Sequence, residues 1–92
     1  MFDHLQRLIK KGDRVKVREW LAAGGDANLR NKLGWSLLML AALHGRTDIV
    51  DDLLASGADA DLTNDFGDTA AGLARLKGFD GTAGAIERAM SV

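Results

Sequence analysis

The chain is 92 residues long, 47% hydrophobic and 27% charged, with a net charge of −1 and neither cysteine nor proline. These values predict one small soluble domain, near the size at which a single hydrophobic core is just sufficient. The missing cysteine excludes a disulfide framework and thiol chemistry. No apolar run approaches the roughly 20 residues that span a bilayer, and the charged N-terminal segment does not resemble a signal peptide. We therefore expect a cytoplasmic protein with no membrane partner.

Six helices are predicted, in chain order, near residues 3–10, 14–23, 36–43, 47–56, 69–76 and 80–90. Asp3, Ser36 and Thr69 each stand before the first helix of a pair, where a side-chain oxygen can accept from free backbone amides. Thr47 or Asp48 is expected to cap the fourth helix in the same way. The pattern is that of three helix pairs.

A period of 33 residues relates these pairs. Gly12, Gly45 and Gly78 are spaced by this period, and so are Gly24 and Gly57. A fixed period of this length indicates a stacked-repeat architecture, in which each unit closes its core only against its neighbours. We interpret residues 1–92 as a single repeat domain, with units of approximately 1–30, 31–63 and 64–92.

The middle unit has the strongest pattern. Small and apolar residues recur at helical spacing along its first helix, which is expected to end at Gly45. Its second helix has a continuous apolar stripe. We expect Ala41 and Leu53 to be buried between layers. Trp20 occupies the position of Leu53 in the first unit, which predicts that its ring packs against the core and covers the open end of the stack.

This middle unit, NKLGWSLLMLAALHGRTDIVDDLLASGADAD, resembles an ankyrin repeat. The matching positions are Gly34, Leu38, Leu40, Ala41, Ala42, Gly45, Ile49, Val50, Leu53, Leu54, Gly57, Ala58 and Asp59. The outer units match less closely but have the same phase. The resemblance implies an all-α ankyrin-repeat solenoid of three stacked helix-turn-helix pairs, joined by hairpin-like turns, with atypical terminal units acting as caps.

Two departures from the ankyrin pattern affect stability. The family's Thr-Pro-Leu-His segment reads SLLM at residues 36–39 and TAAG at residues 69–72, so both the proline and the histidine that links adjacent repeats are missing. In the third unit, Gly81 and Gly84 fall within the last predicted helix, each costing on the order of 1 kcal/mol relative to alanine, and Glu87 replaces a final leucine. We expect a stack that is only modestly stable or that self-associates.

Catalytic and metal chemistry find little support. His4 and His44 are the only histidines, and no serine has an evident base beside it. The acidic stretch DADLTNDFGD, residues 59–68, lacks the glycine at the sixth position and the glutamate at the twelfth that a calcium loop requires. No phosphate-binding glycine loop is present. We expect no enzyme activity, no bound metal and no cofactor.

Charge is distributed unevenly along the chain. Residues 1–33 hold eight basic against four acidic residues, and residues 34–66 hold one against six. This asymmetry either steers a partner, or promotes head-to-tail association, or reflects solvated faces. The basic run KKGDRVKVR, residues 10–18, is interpreted as a solvated face because Asp13 interrupts it and few aromatic residues accompany it. We expect no nucleic-acid partner.

The ankyrin resemblance implies a protein-binding module that uses its turn tips and inner helical surface. The residues at those positions are Lys32, Leu33, Trp35, Leu43, His44, Asp65, Phe66, Asp68, Leu76 and Lys77. Trp35 is predicted to project from its turn as the anchor of an apolar strip with Leu33 and Phe66. Alternatively, these side chains fold back on neighbouring turns, and His44 is either a partner contact or a solvent-facing residue at a helix end. The alternative function is a structural or self-associating unit, or a piece of a larger stack.

Overall fold

The computed structural model describes residues 1–90, which form six helices. Their bounds are Phe2–Lys11 (α1), Arg14–Ala22 (α2), Leu37–Leu43 (α3), Thr47–Ala55 (α4), Ala70–Leu76 (α5) and Asp80–Glu87 (α6). Within these residues the only extended pairing is two isolated antiparallel bridges, one in each connector between helix pairs. The predicted all-α fold is confirmed, and five of the six predicted helices agree with the structure to within a residue at each end. The exception is α6, which ends at Glu87 rather than at residue 90.

The helix pairs stack side by side in two layers. In the first layer α3 packs between α1 and α5, and in the second layer α4 packs between α2 and α6. The middle pair therefore has a neighbour on both sides. Six of the seven residues of α3 are buried, and Ala41 and Leu53 have no exposed surface. Both core predictions are confirmed, and the arrangement is the predicted three-pair solenoid.

Side-chain caps begin two of the three first-layer helices. The Ser36 hydroxyl accepts a hydrogen bond from the Met39 amide at 3.1 Å, and the Thr69 hydroxyl accepts one from the Gly72 amide at 3.0 Å. Asp3 was predicted to act in the same way, but it lies inside the first turn of α1, where its charge favours the positive end of the helix dipole. That cap prediction is wrong.

The predicted cap of α4 is also wrong. Arg46 holds the N-cap position and makes no side-chain cap hydrogen bond. The Thr47 hydroxyl instead shares a 2.6 Å hydrogen bond with the Thr82 hydroxyl of the next pair. Thr47 therefore ties α4 to α6, because its side chain faces the neighbouring helix rather than its own free amides.

A glycine stands at the end of α1 and another just after α3, and each receives a side chain from the following pair. Gly12 and Gly45 adopt φ values of 77° and 65°, a left-handed conformation that glycine tolerates best. The Arg46 guanidinium lies against Gly12 and donates a hydrogen bond to the carbonyl of Lys10. The ring of Phe79 lies against Gly45 in the equivalent place one period later. Each contact locks one pair onto the pair before it.

One prediction for α2 is confirmed and one needs correction. Trp20 packs against the core as predicted, although its ring is only partly buried and lies against Gly25 on its other side. The ring thus covers the edge of the stack. Arg14, predicted to lie on a solvated face, forms two hydrogen bonds with the Asp52 carboxylate of α4, at 2.8 and 3.2 Å. This pair links the first and second helix pairs.

An ion pair links α5 to α6, the two helices of the third pair. Glu87 accepts hydrogen bonds from the Arg75 guanidinium, and Asp80 lies 3.8 Å from the same side chain. The hydrogen bond to Arg75 lowers the pKa of Glu87 below its ordinary value. The residue that replaces the expected leucine therefore has an electrostatic role at the helix end. As predicted, Gly81 and Gly84 lie within α6.

Candidate protein-binding surface

Two hairpin-shaped connectors project from the stack, and we name them fingers. Finger 1 (residues 30–36) is closed by the bridge between Arg30 and Ser36, and finger 2 (residues 63–69) by the bridge between Thr63 and Thr69. Each finger leads directly into the side-chain cap of a first-layer helix, because Ser36 and Thr69 are also the N-cap residues. The cap therefore anchors the base of each finger.

An asparagine fixes the shape of each finger. The side-chain oxygen of Asn31 accepts from the amides of Leu33 and Trp35, at 3.0 and 2.9 Å. In finger 2, Asn64 is 5% exposed, and its oxygen accepts from the amides of Phe66 and Asp68, at 3.0 and 2.9 Å. Sequence reasoning missed both asparagines, although their recurrence after 33 residues was a usable signal.

The two fingers lie directly alongside each other. The amide of Asp65 donates to the carbonyl of Leu33 across a distance of 2.9 Å. A Cβ on Gly34 would lie 3.1 Å from the Asp65 carboxylate and 3.2 Å from the Cα of Asn64. This close approach requires glycine at position 34. It also places the tip residues Lys32 and Leu33 of finger 1 beside those of finger 2.

Trp35 does not project as predicted. It is partly buried and packs against the core together with Leu43. The two side chains line a pocket of about 210 Å³ at the base of finger 1, with Gln6, Asn31, Leu33 and Leu40 as the other lining residues. Trp35 thus lines a pocket instead of projecting into solvent, because its ring lies towards α3.

The other apolar candidates are exposed. Leu33 is 49% exposed, Phe66 is 68% exposed and Leu76 is 76% exposed. The pocket brings Leu33, Trp35 and Leu43 together, whereas Phe66 on the tip of finger 2 is not among its lining residues. Leu76 lies at the end of α5, one repeat period after Leu43.

The charged and polar candidates fall into two groups. Lys32 and Asp65 are exposed on the fingers, and Asp68 accepts a hydrogen bond from the side-chain amide of Asn64 at 3.3 Å. His44 and Lys77 instead occupy the C-cap positions of α3 and α5. Burial lowers the pKa of His44, and the nearby positive charges of Arg46, Lys10 and Lys77 lower it further. His44 is therefore largely neutral at pH 7.

Residues 1–90 contain no group of three or more histidine or acidic side chains placed to hold a metal ion. Among the six helices, none combines the length and the apolar character needed to cross a membrane.

Comparison with known proteins gives one family. The family model for ankyrin repeats matches residues 5–83 as three copies, whereas a comparison with curated proteins gives no match. The matched region includes α1 from Leu5 onward, the whole of α2 to α5, both fingers and the start of α6. The match therefore covers the same stack that the 33-residue period predicts. The chain belongs to the ankyrin repeat family.

Proposed function

We propose that this chain binds a protein partner through the two fingers and the adjoining ends of α3 and α5. Ankyrin repeats generally act as protein–protein interaction modules. The proposed contact residues are Lys32, Leu33, Trp35, Leu43, His44, Asp65, Phe66, Asp68, Leu76 and Lys77. The observation that supports this surface best is the pocket walled by Trp35 and Leu43, with exposed Leu33 at its edge.

The surface has the physical properties of a binding site. Its backbone is held in place by Asn31 and Asn64, which reduces the entropy lost when a partner binds. Its exposed apolar side chains gain free energy when a partner removes them from water. Trp35 is large and partly desolvated already, which is the usual setting of a residue that dominates binding energy.

We further propose that the chain works without catalysis or a cofactor, and in the cytoplasm. The absence of cysteine suits a reducing compartment. No serine, histidine or acidic residue of the proposed surface forms a nucleophile–base pair among the hydrogen bonds described for residues 1–90.

The test is an affinity capture from the source cell with matched single variants. The wild-type chain, Trp35→Ala and Phe66→Ala are compared with Val15→Ala, because Val15 is 66% exposed, like Phe66, but lies on α2. We expect a specific partner to be captured by the wild type and by Val15→Ala. Trp35→Ala is expected to weaken binding by about 2 kcal/mol or more. Equal capture by all four proteins would show that the partner uses another surface.

Self-association is the second candidate, and one observation favours it. Gly12 and Gly45 are covered by Arg46 and Phe79 of the following pair, whereas no atom lies within 4 Å of the position that a Cβ on Gly78 would take. A second copy stacked on the third pair would cover this glycine. Sedimentation velocity over a range of concentrations tests this candidate. A single concentration-independent species would exclude it.

A further inference from the structure

The two helical layers carry opposite net charge. In the first layer, formed by α1, α3 and α5, four basic residues stand against one acidic residue, Asp3. In the second layer, formed by α2, α4 and α6, three basic residues stand against six acidic residues. The inner helical surface used by the proposed function therefore belongs to the positive layer.

The positive charge is concentrated at the C-terminal ends of the first-layer helices. We name Lys10, Lys11, Arg46 and Lys77 the cationic row. Lys11 and Lys77 occupy equivalent positions in the first and third repeats, where the middle repeat has the neutral His44, and the packing of α3 between α1 and α5 brings the three repeats side by side. The hydrogen bond from Arg46 to the carbonyl of Lys10 ties two members of the row together.

The row has no carboxylate partner within the described residues. The salt bridges found there use Arg14, Arg18 and Arg75 as cations. Cations are favourable at helix C-termini, and the contact of Arg46 with α1 is explained in that way. The ammonium groups of Lys10, Lys11 and Lys77 are exposed and make no hydrogen bond in residues 1–90.

The acidic residues closest in sequence to the row are occupied elsewhere. Asp13 accepts from the amide of Lys16 at the start of α2, and Asp48 accepts from the amide of Ile49. Asp80 lies beside the Arg75 guanidinium. None of these carboxylates forms a salt bridge with a side chain of the row.

Apolar side chains lie beside the row in the second and third repeats. Leu43 and Leu76 directly precede His44 and Lys77 in the sequence, and Lys10 has the equivalent position in the first repeat. Leu43 also lines the pocket below Trp35. The cationic row and the apolar pocket are thus continuous through Leu43.

We propose that the partner presents an extended acidic segment, whose carboxylates lie on the cationic row and whose apolar side chain fills the pocket between Trp35 and Leu43. This inference rests on the proposed function and specifies the chemistry of its partner. Adjacent helices lie about 10 Å apart, and an extended chain advances about 3.3 Å per residue. Acidic residues spaced about three apart in the segment would therefore meet successive repeats.

A protein segment fits this surface better than a nucleic acid does. The pocket is walled by Trp35, Leu43, Leu33 and Leu40 and suits an apolar side chain. Asp65 and Asp68 on finger 2 would repel a continuous polyanion that extended past the row. A peptide can place its charges on the row alone.

The experiment selects short random peptides from a display library on the immobilised wild-type chain. The enriched peptides are then titrated against three variants. Lys10→Gln with Lys77→Gln removes two exposed charges from the row, and Trp35→Ala opens the pocket. Lys16→Gln with Arg88→Gln is the control, because it removes two exposed charges outside the row. Circular dichroism confirms that each variant is folded.

We expect enriched peptides to be acidic with an apolar residue, and to bind more weakly as salt concentration rises. The variant Lys10→Gln with Lys77→Gln should weaken binding about fivefold, as the loss of two exposed ion pairs does, whereas the control variant should bind like wild type.

Neutral peptides whose binding depends on Trp35 but not on the row would overturn this inference and leave the proposed function intact. No enrichment, or peptides indifferent to both variants, would overturn this inference, whereas the affinity capture with Trp35→Ala and Phe66→Ala decides the proposed function. If a mixed-sequence single-stranded DNA bound more tightly than the enriched peptides, the acidic-peptide inference would be overturned and a nucleic-acid partner would be indicated.

Discussion

The ring of Phe79 lies so close to Gly45 that a Cβ on this glycine would lie 2.9 Å from two ring carbons. Phe79 precedes α6 and Gly45 ends α3, so the contact joins the third helix pair to the second. The Arg46 guanidinium meets Gly12 in the same way one period earlier, at 3.1 Å. Repeat-to-repeat packing thus uses one position in each unit, occupied by an aromatic ring in one case and a cation in the other.

This contact makes Gly45→Ala more destabilising than the equivalent change at Gly78. Both glycines have positive φ, 65° and 82°, so alanine costs about 1–2 kcal/mol at either position. At Gly45 the new methyl group also meets the Phe79 ring, which adds about 1–3 kcal/mol of overpacking. Nothing lies within 4 Å at Gly78. Urea denaturation of both variants measures the difference, and equal losses would mean that Phe79 does not rest on Gly45 in solution.

Leu53→Ala is expected to remove about 2–5 kcal/mol of stability, because Leu53 is fully buried between α4 and its neighbours. Small domains have only about 5–15 kcal/mol in total. The matched control is Leu76→Ala, the same chemical change at a leucine that is 76% exposed, and it should alter stability by less than about 0.5 kcal/mol. Similar thermal midpoints for the two variants would contradict the assigned register of α4.

The 33-residue period made much of this fold predictable. Glycine positions, apolar stripes and the caps at Ser36 and Thr69 depend on residues close in sequence, and all of these were found correctly. Contacts such as Arg14 with Asp52 join residues 38 positions apart. They depend on the angle between stacked helices, which a sequence pattern does not contain. Asp3 and Thr47 were misassigned because a polar residue near a helix start can lie within the first turn instead of at the N-cap position before it.

The candidate surface was less predictable than the fold. Position in the repeat identified Leu33, Phe66 and Leu76, which are exposed. The orientation of Trp35 was not predictable, because the χ angles of a turn residue depend on the space that α3 leaves beside it. The supporting role of Asn31 was not predicted for a different reason: which backbone amides its side-chain oxygen accepts from depends on the folded shape of the finger.

Trp20→Ala is expected to lower stability by about 2 kcal/mol. This is less than the roughly 3–5 kcal/mol typical of a fully buried tryptophan, because the ring is partly exposed. The change removes packing against the core and against Gly25. Val15→Ala on the same helix is the control and should be nearly neutral. Guanidinium denaturation followed by circular dichroism makes the comparison without relying on tryptophan fluorescence. An unchanged denaturation midpoint for Trp20→Ala would show that the ring does not cover the edge of the helix stack.

Asn31→Ala is expected to loosen finger 1 and to weaken partner binding without touching the partner-facing side chains. The substitution removes the acceptor of two backbone hydrogen bonds, each contributing about 0.5–1.5 kcal/mol. Asn31→Asp keeps an acceptor oxygen and should retain most of the stability. Hydrogen exchange at the Leu33 and Trp35 amides is the measurement. Exchange that is as slow in Asn31→Ala as in wild type would show that other contacts hold the finger.

His44 is expected to make the fold less stable in mild acid. Burial, and then the charges of Arg46, Lys10 and Lys77, lower the pKa of His44 in the folded chain below its ordinary value of about 6.5. The folded state therefore binds a proton at this site less readily than the unfolded state does. The resulting stability is fully present above the unfolded-state pKa and is lost as pH falls from that value through the folded-state pKa. His44→Gln should flatten this loss in urea denaturation between about pH 7 and pH 5, whereas the same substitution at exposed His4 controls for the loss of an imidazole as such. If the stability of His44→Gln declines with pH as steeply as that of the wild type, burial and the neighbouring cations do not hold His44 in its neutral form in the folded chain.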